Sequence, residues 1–266
     1  MAAYKKSPRR PSAFTSWDPV ADWYEGWVGP NGSRHHCRLA VPAVLELLEL
    51  RSGEKILDIG AGQGVLAPFI SRGGARYTGV DASERLLQFA RKHHGHEGKF
   101  ILGDAGRLFE LPQLHPAEFD AVVFLLSLQD MTPLPAVLQS AAWALRPGGR
   151  GVLLLTHPCF HVPRQSGWGW DEGRKLHYRR IDRYLTPLDV PMKAYLGHKN
   201  GATRSFHRPL EEYINGLANC GLLLDRLLEI PTYKKFDGAK PNAKAQNLAN
   251  QEIPLFLGLR ARKLQK

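Results

Sequence analysis

Three glycines in one short turn, Gly60, Gly62 and Gly64, are the first residues in this sequence whose spacing suggests chemistry. The turn follows the apolar residues 56–59, which predict a short buried strand, and it precedes a helical apolar pattern. Glycine lets the chain pass abruptly from strand to helix, and it lets a ligand approach the backbone more closely than a Cβ would allow. Asp58 precedes the turn and either organises it or contacts the ligand. The turn is one residue shorter than G-x-G-x-x-G and alone predicts only a nucleotide-like ligand.

Two further acids end the next predicted strands. Asp81 follows the turn at the spacing expected for an acid that accepts hydrogen bonds from two ribose hydroxyls, and Ala82 comes after it. Asp104, followed by Ala105, ends the third predicted strand, where a carboxylate can accept a hydrogen bond from an adenine amine. Leu126 ends the fourth. Because the carboxyl ends of parallel strands meet at one edge of a sheet, we expect these residues to lie together.

Five motifs occur in order between residues 58 and 149: DIGAGQG, GVDAS, GDA, FDAVVFLLSLQDM and LRPGG. Together they resemble the class I S-adenosylmethionine-dependent methyltransferases, specifically the small-molecule group called methyltransferase type 11. The resemblance runs from Trp17 onward, closely to Leu155 and loosely beyond. It implies an α/β fold, a doubly wound, seven-stranded, mostly parallel sheet of the Rossmann-like methyltransferase type. It also implies S-adenosylmethionine as methyl donor, S-adenosylhomocysteine as product, and no metal.

The resemblance also implies a set of cofactor-binding residues. The aromatic segment 17–29 would lie across the cofactor site, with Tyr24 facing the methionine end of the cofactor. The predicted cofactor-binding residues are Tyr24, Asp58, Gly60, Gly62, Asp81, Ala82, Asp104, Ala105 and Leu126.

The elements that must position these residues follow from the apolar pattern. Strand-like runs alternate with helical patterns from Lys55 to Leu155, which predicts five strands joined by right-handed crossovers. A further helix and two further strands are predicted near the C-terminus. The predicted organisation is a disordered basic tail (1–16) and a single domain (17–266), made of a core (51–160), a lid or substrate insert (161–206) and C-terminal helix and strands (207–266).

The predicted insert is rich in tryptophan, tyrosine, lysine and arginine, and its regular apolar pattern is lost. Long connections of this kind are usually functional lids or disordered. Aromatic and arginine side chains can bind a planar or anionic ligand, and they can also stack the bases of a single-stranded nucleic acid. The alternative is a solvated basic surface whose tryptophans anchor the loop. We expect substrate specificity to reside here.

Two histidines are candidate general bases. His157 follows the fifth predicted strand, where a neutral imidazole can remove a proton from a hydroxyl or amine during methyl transfer. A histidine bonded to backbone at that junction is the alternative. His207, before the C-terminal helix, is the second candidate. Residues 127–131 lack the Asn/Asp-Pro-Pro-aromatic tetrad of enzymes that methylate nucleobase amines, which disfavours that chemistry.

Composition narrows the function classes. The net charge is +11 at pH 7, which favours anionic partners without identifying them. Three scattered cysteines without a CxxC pair predict neither a disulfide framework nor a zinc site and suit a reducing cytoplasm. The adjacent His35 and His36 also lack partners at metal-ligand spacing. No apolar run approaches the length of a membrane span, and residues 1–16 lack the apolar core of a secretory signal.

The sequence therefore predicts cytoplasmic transfer of a methyl group from S-adenosylmethionine to an oxygen, nitrogen or carbon nucleophile of a small molecule. The acceptor is expected to be anionic or aromatic. Alternatives are an RNA or protein methyltransferase that uses the basic insert, a nicotinamide-dependent oxidoreductase on a similar fold, and a non-catalytic cofactor-binding protein. No oligomeric state is predicted.

Overall fold

The computed structural model describes residues 17–193, 202–238 and 242–265. The predicted tail, residues 1–16, lies outside the described residues, as does part of the predicted insert. Within the described residues the strands are β1 Lys55–Ile59, β2 Arg76–Asp81, β3 Gly98–Leu102, β4 Phe119–Leu125, β5 Leu145–Thr156, β6 Ser166–Asp171, β7 Leu176–Ile181, β8 Leu188–Lys193, β9 Ala202–His207, β10 Leu222–Ile230 and β11 Phe256–Lys263.

Helices alternate with the first five strands, as the apolar pattern predicts. The α-helices are α1 Ala21–Val28, α2 Val41–Leu48, α3 Ala67–Arg72, α4 Glu84–His94, α5 Leu134–Ala144, α6 Leu210–Asn219 and α7 Ala243–Glu252. A π-helical segment, His36–Ala40, leads directly into α2, and short 3₁₀ turns occupy Asp18–Val20, Ala105–Glu110 and Leu128–Asp130. Within the described residues, no helix is long and apolar enough to cross a membrane.

Seven strands form one sheet in the order β10-β11-β5-β4-β1-β2-β3. β1 pairs in parallel with β2 and β4, and β2–β3 and β4–β5 are also parallel. β11 is antiparallel to both of its neighbours, β5 and β10. The strand order reverses between β1 and β4, and in open parallel sheets a ligand binds at such a reversal. The predicted doubly wound, mostly parallel seven-stranded fold is confirmed.

The sheet is buried on both faces, because alternate residues of its central strands pack into two apolar clusters. Leu57, Ile59 and Phe124 belong to the cluster that includes α5 and α6. Ile56 and Val123 belong to the cluster on the opposite face, with α2, α3 and α4. The alternation fixes the register of β1, so its C-terminal end delivers the glycine turn to the edge where the strand order reverses.

The segment predicted as an irregular lid contains regular structure. Between β5 and α6 it folds into two antiparallel hairpins, β6–β7 and β8–β9, which are separate from the main sheet. Each hairpin is a two-stranded ribbon. Neither the aromatic nor the basic content of the sequence signals this pairing. The polar stretch after β10 likewise holds α7, where no helix was predicted.

Candidate active site

A cavity of about 940 Å³ opens at the carboxyl ends of the parallel strands. Its wall includes residues at or just after the ends of β1 to β5, residues of α1, and residues of both hairpins. Nine residues predicted from the sequence line it: Tyr24, Gly60, Gly62, Asp81, Ala82, Asp104, Ala105, Leu126 and His207. The other two, Asp58 and His157, are not among the lining residues.

Asp81 is the centre of the first half of the cavity. Its Oδ2 accepts a hydrogen bond from the Gly62 backbone N–H at 2.8 Å, and its Oδ1 accepts one from the Ser83 N–H at 2.8 Å. Burial raises the pKa of Asp81, while these backbone hydrogen bonds act to lower it. Ser83 also caps α4, because its Oγ accepts from the Leu86 N–H. The carboxylate is thus held in place with lone pairs left for a ligand's hydroxyls.

Gly60 and Gly62 serve different purposes in the turn. Gly60 has φ +76°, and a Cβ there would lie 2.5 Å from carbon atoms of Ser127 and Met131, so the chain itself requires glycine. Gly62 has φ +54°, but a Cβ there would meet no atom within 4 Å. The open space over Gly62, beside the Asp81 carboxylate, is a cradle in which a ligand can approach the backbone. The residues present therefore fit a nucleoside-bearing cofactor.

Asp104 and Leu126 complete this edge. Asp104 begins a 3₁₀ turn, and its Oδ1 accepts from the Gly106 N–H at 2.8 Å. Leu126 has φ +55°, a left-handed conformation that is uncommon for a residue with a Cβ, and its N–H donates to the Leu154 carbonyl. Backbone strain of this kind clusters at ligand sites. Here it turns the chain away from β4 at the cavity wall.

The aromatic segment lies against the cavity, where Trp17, Tyr24 and Trp27 are lining residues. Two polar contacts attach it to α4: the Asp22 carboxylate accepts from Arg85 at 2.7 Å, and Glu25 Oε1 lies 2.7 Å from His93 Nε2. Burial, followed by the negative charges of Asp130 and Asp81, raises the pKa of Tyr24 well above its ordinary value. The Tyr24 hydroxyl therefore lies within electrostatic range of both Asp81 and Asp130.

Asp58 does not lie where a direct cofactor contact requires it. Its side chain is 1% exposed, and its Oδ2 accepts from the Tyr77 hydroxyl at 2.8 Å. Oδ1 has no hydrogen-bond partner. The alternation of β1 turns this carboxyl into the layer beneath the turn. Because Asp58 is buried and bonded to Tyr77, the geometry disfavours a direct cofactor contact, and the alternative, an acid that organises the turn, stays a prediction.

His157 is also placed differently from the prediction. Its ring is 2% exposed and does not line the cavity. Nε2 lies 3.1 Å from Glu229 Oε1, and Nδ1 accepts from the Cys159 N–H at 3.3 Å. Burial lowers the pKa of His157, with Glu229 acting in the opposite direction. Because both ring nitrogens are engaged outside the cavity, His157 is not positioned to act as the predicted base.

Three other histidines do line the cavity: His36, His161 and His207. The Nε2 of His207 lies 2.7 Å from the Tyr184 carbonyl oxygen, so Nε2 carries the proton and the neutral ring has its acceptor lone pair on Nδ1. His161 lies between the Pro254 carbonyl and the Arg179 guanidinium. Burial, aided by Arg179, lowers the pKa of His161 to about 4. His161 is therefore neutral at pH 7.

Asp130 is a site residue that the sequence reasoning missed. It ends the 3₁₀ turn after β4, lines the cavity, and accepts a hydrogen bond from the Ser205 hydroxyl on β9. Burial raises the pKa of Asp130 to about 8. A carboxyl that titrates near neutral pH is suited to accept a proton. The available signal in the sequence is an acid shortly after the fourth predicted strand, within residues 127–131.

Comparisons with known proteins agree with this geometry. Residues 56–149 match a family model described as "Methyltransferase domain". Over 136 residues the chain is 30% identical to a ubiquinone biosynthesis O-methyltransferase from Xylella fastidiosa, which is 50% of this chain and 55% of that protein. Over 119 residues it is 35% identical to a demethylmenaquinone methyltransferase from Tropheryma whipplei, 44% of this chain and 48% of that protein. The chain spans about half the length of the curated relatives it matches.

A solved structure is similar to this chain over most of its length. An S-adenosylmethionine-dependent methyltransferase from Mesorhizobium loti superimposes with a TM-score of 0.67 and 25% identity, covering 88% of this chain and all of that one. The chain contains a class I S-adenosylmethionine-dependent methyltransferase domain. Among the residues that the structure describes, no group of three or more potential metal ligands comes together.

Proposed function

We propose that the protein transfers a methyl group from S-adenosylmethionine to an oxygen, nitrogen or carbon nucleophile of a small molecule. The observation that carries this proposal is the continuity of the cavity. The same wall that presents the glycine turn, Asp81 and Asp104 extends past Asp130 to the hairpins. Its volume, about 940 Å³, is near the upper end of the roughly 300–1,000 Å³ range of ligand pockets, as expected for a donor and an acceptor together.

The half of the cavity that contains the glycine turn, Asp81 and Asp104 is the proposed site of the methyl donor, and we call it the donor half. The proposed roles there follow from the groups present. Asp81 accepts hydrogen bonds from the ribose hydroxyls, and Asp104 accepts one from the adenine amine. The backbone at Gly60 and Gly62 lies against the amino-acid end, with Tyr24 beside it. Ala82, Ala105 and Leu126 provide apolar contacts around the nucleoside. Asp58 acts indirectly, by organising the turn beneath.

S-adenosylmethionine supplies an electrophilic methyl group on a sulfonium, so the protein's work is alignment, exclusion of water and, for a protonated nucleophile, removal of a proton. The aromatic segment and the hairpins exclude water from the cavity wall. Asp130 accepts the proton, held by the Ser205 hydroxyl. His207 Nδ1 is the alternative acceptor, since its ring also lines the cavity.

Two measurements test the proposal in sequence. Calorimetric titration with S-adenosylmethionine and S-adenosylhomocysteine, on protein shown by mass spectrometry to carry no bound ligand, should give binding of both. The loaded protein is then incubated with S-adenosylmethionine carrying a trideuterated methyl group and with pools of small phenols, amines and hydroxy acids. A product heavier by one trideuteromethyl group supports small-molecule methylation. Binding of both nucleosides without any methylated product across the pools would favour the non-catalytic alternative.

The macromolecular alternative rests on the net charge of +11 and the basic hairpins. An RNA methyltransferase would bind RNA with an affinity that falls steeply with salt, because each phosphate contact releases counterions. Methylation of a small molecule at a rate insensitive to salt would argue against that alternative. The names of the quinone methyltransferases among the relatives favour the small-molecule proposal.

A further inference from the structure

Arg208 is a buried cation in the cavity wall. It follows β9, and its side chain is 6% exposed. Arg208 lines the part of the cavity formed by Asp130 and the two hairpins, which we call the acceptor half. Nη2 donates to the Met131 carbonyl at 2.7 Å, and the guanidinium lies 5.3 Å from the centre of the Phe206 ring. Nη1 has no hydrogen-bond partner. Within residues 17–193, 202–238 and 242–265, no carboxylate lies within ion-pair distance of Arg208.

The other two buried arginines of the described residues, Arg150 and Arg260, have carboxylate partners. Arg150 donates to both oxygens of Glu54 at 2.8 and 2.7 Å. Arg260 pairs with Asp225 at 2.9 Å and with Glu49 at 2.9 Å. A buried guanidinium without a counterion is unfavourable, which is why such residues are paired. Arg208 is the exception, and it is the buried arginine that faces the cavity.

The surrounding wall does not supply the missing negative charge. Asp130 is the acid of the acceptor half, and its carboxyl is largely protonated at pH 7 because burial raises its pKa to about 8. Arg179, also in the wall, donates to the Phe160 carbonyl and the Ser166 hydroxyl and has no carboxylate partner among the described residues. Arg204 differs, since its Nε and Nη2 donate to the two carboxylate oxygens of Asp189. The acceptor half is therefore positively charged.

We propose that the methyl acceptor is a small organic oxyanion, a carboxylate or a phosphate ester, whose charged oxygens are bound by Arg208. This inference rests on the proposed function. The planar fork of a guanidinium binds two oxygens of a carboxylate or phosphate at once. The Tyr213 hydroxyl oxygen accepts a hydrogen bond from the guanidinium, and Tyr213 lines the cavity, so the hydroxyl proton can serve the oxyanion as a second donor. The bond from Arg208 to the Met131 carbonyl holds the guanidinium in the wall that also contains Asp130, so an anchored acceptor lies in the half of the cavity that holds the proton acceptor.

The experiment uses matched probes that differ in charge. Protein loaded with S-adenosylhomocysteine is titrated with benzoate, with phenyl phosphate and with neutral benzamide at constant ionic strength, and affinity is measured by thermal shift and calorimetry. We expect one of the two anions to bind at least about tenfold tighter than benzamide, a preference equivalent to one charge-assisted hydrogen bond. The better anion identifies which oxyanion the site accepts. Equal affinity for all three probes, including no binding of any, overturns the proposal.

The variants assign the preference to Arg208. Arg208→Gln should abolish the preference for the anion over benzamide, and Arg208→Lys, which keeps the charge but loses the fork, should reduce it. Arg204→Gln is the matched control in the same wall and should retain the preference, because Arg204 is already neutralised by Asp189. An unchanged preference in Arg208→Lys contradicts bidentate binding, and this variant decides the matter if Arg208→Gln does not fold.

Failure of this proposal can be told apart from failure of the proposed function. The shift in melting temperature with S-adenosylhomocysteine alone reports the cofactor half, which contains no residue changed here. A protein that responds to S-adenosylhomocysteine but not selectively to the anions retains the proposed function with a neutral acceptor. A protein that responds to neither loses both. Selective binding of an anion without a response to S-adenosylhomocysteine would retain only the oxyanion site.

Discussion

The buried carboxyl of Asp58 makes a prediction that joins the stability of the fold to the cofactor turn. The side chain is 1% exposed, Oδ1 has no partner, and Oδ2 accepts only from the Tyr77 hydroxyl. Burial raises the pKa of Asp58 to about 7, the Tyr77 hydrogen bond lowers it, and the negative charge of Asp81 raises it. We predict that Asp58→Asn removes a pH-dependent penalty that the parent protein carries.

The sign and size follow from proton linkage. In the unfolded chain an aspartate has a pKa of about 3.9, so between about pH 4 and pH 7 the folded protein holds a proton on Asp58 that the unfolded chain has lost. The contribution of Asp58 to the free energy of unfolding therefore falls as pH rises through that window. The fall approaches about 1.4 kcal/mol per pH unit, or about 2 kcal/mol between pH 5 and pH 7. Asparagine has no such proton to lose.

Urea unfolding of parent and Asp58→Asn across this window is the assay, and the readout is their difference, because other acids titrate in both proteins. The difference should grow in favour of Asp58→Asn as pH rises. Tyr77→Phe should raise the pKa of Asp58 further and extend the fall in stability to higher pH, but add no pH dependence in the Asp58→Asn background. Parallel stability curves for parent and Asp58→Asn would refute the reasoning. Affinity for S-adenosylhomocysteine should be unchanged in Asp58→Asn, because its side chain does not line the cavity.

Three further predictions concern the cavity itself. Asp81→Ala should weaken binding of S-adenosylhomocysteine by about 10- to 100-fold in calorimetry, the loss of about 1.5 to 3 kcal/mol of charge-assisted hydrogen bonding, and unchanged affinity would contradict the ribose assignment. Gly60→Ala should lower the free energy of unfolding by about 2 to 5 kcal/mol through overpacking against Ser127 and left-handed strain, whereas Gly62→Ala, which meets open space, should cost less in the same urea titration. At low acceptor concentration, where the rate reports the free enzyme, the rate of the parent should rise with pH through about pH 8, where Asp130 becomes ionised. Asp130→Asn should be slower by about 10²- to 10⁴-fold with that rise abolished, and a retained pH profile would assign the proton to another group.

The main sheet could be predicted from the sequence because its signals are local. The apolar runs ending in Asp81 and at Leu125 are short and bounded by turn residues, and each becomes a strand. Ser83 precedes α4, and its hydroxyl caps the helix. The hairpins β6–β7 and β8–β9 could not be predicted in the same way. The strands of β6–β7 mix aromatic, basic and polar residues on a ribbon that is mostly half-buried on both faces, so burial imposes no clear alternation on their sequences.

The candidate site divides along the same line. Residues of the donor half follow strand ends at fixed spacings, so sequence position alone locates Asp81 and Asp104 at the cavity. Residues of the acceptor half come from elements distant in sequence. Arg208 and Asp130 line the same half because β9 packs near the turn after β4, where Arg208 bonds the Met131 carbonyl and Ser205 bonds Asp130, and no spacing rule connects them. The choice of His157 failed because its position was inferred from the strand end, without knowledge of the antiparallel β10 that engages its ring.

The distribution of charge along the cavity follows from the two halves having different tasks. Asp81 and Asp104 are held by backbone N–H groups, so the donor half carries acceptors for a neutral nucleoside. The acceptor half holds guanidinium groups bonded to carbonyl oxygens, which position a cation without neutralising it. An anionic acceptor would supply the missing charge on binding. Its negative charge would also favour approach to the cationic methyl donor. The same bound anion would oppose ionisation of Asp130, so the pH at which turnover rises should lie above the pH at which Asp130 titrates in the free enzyme.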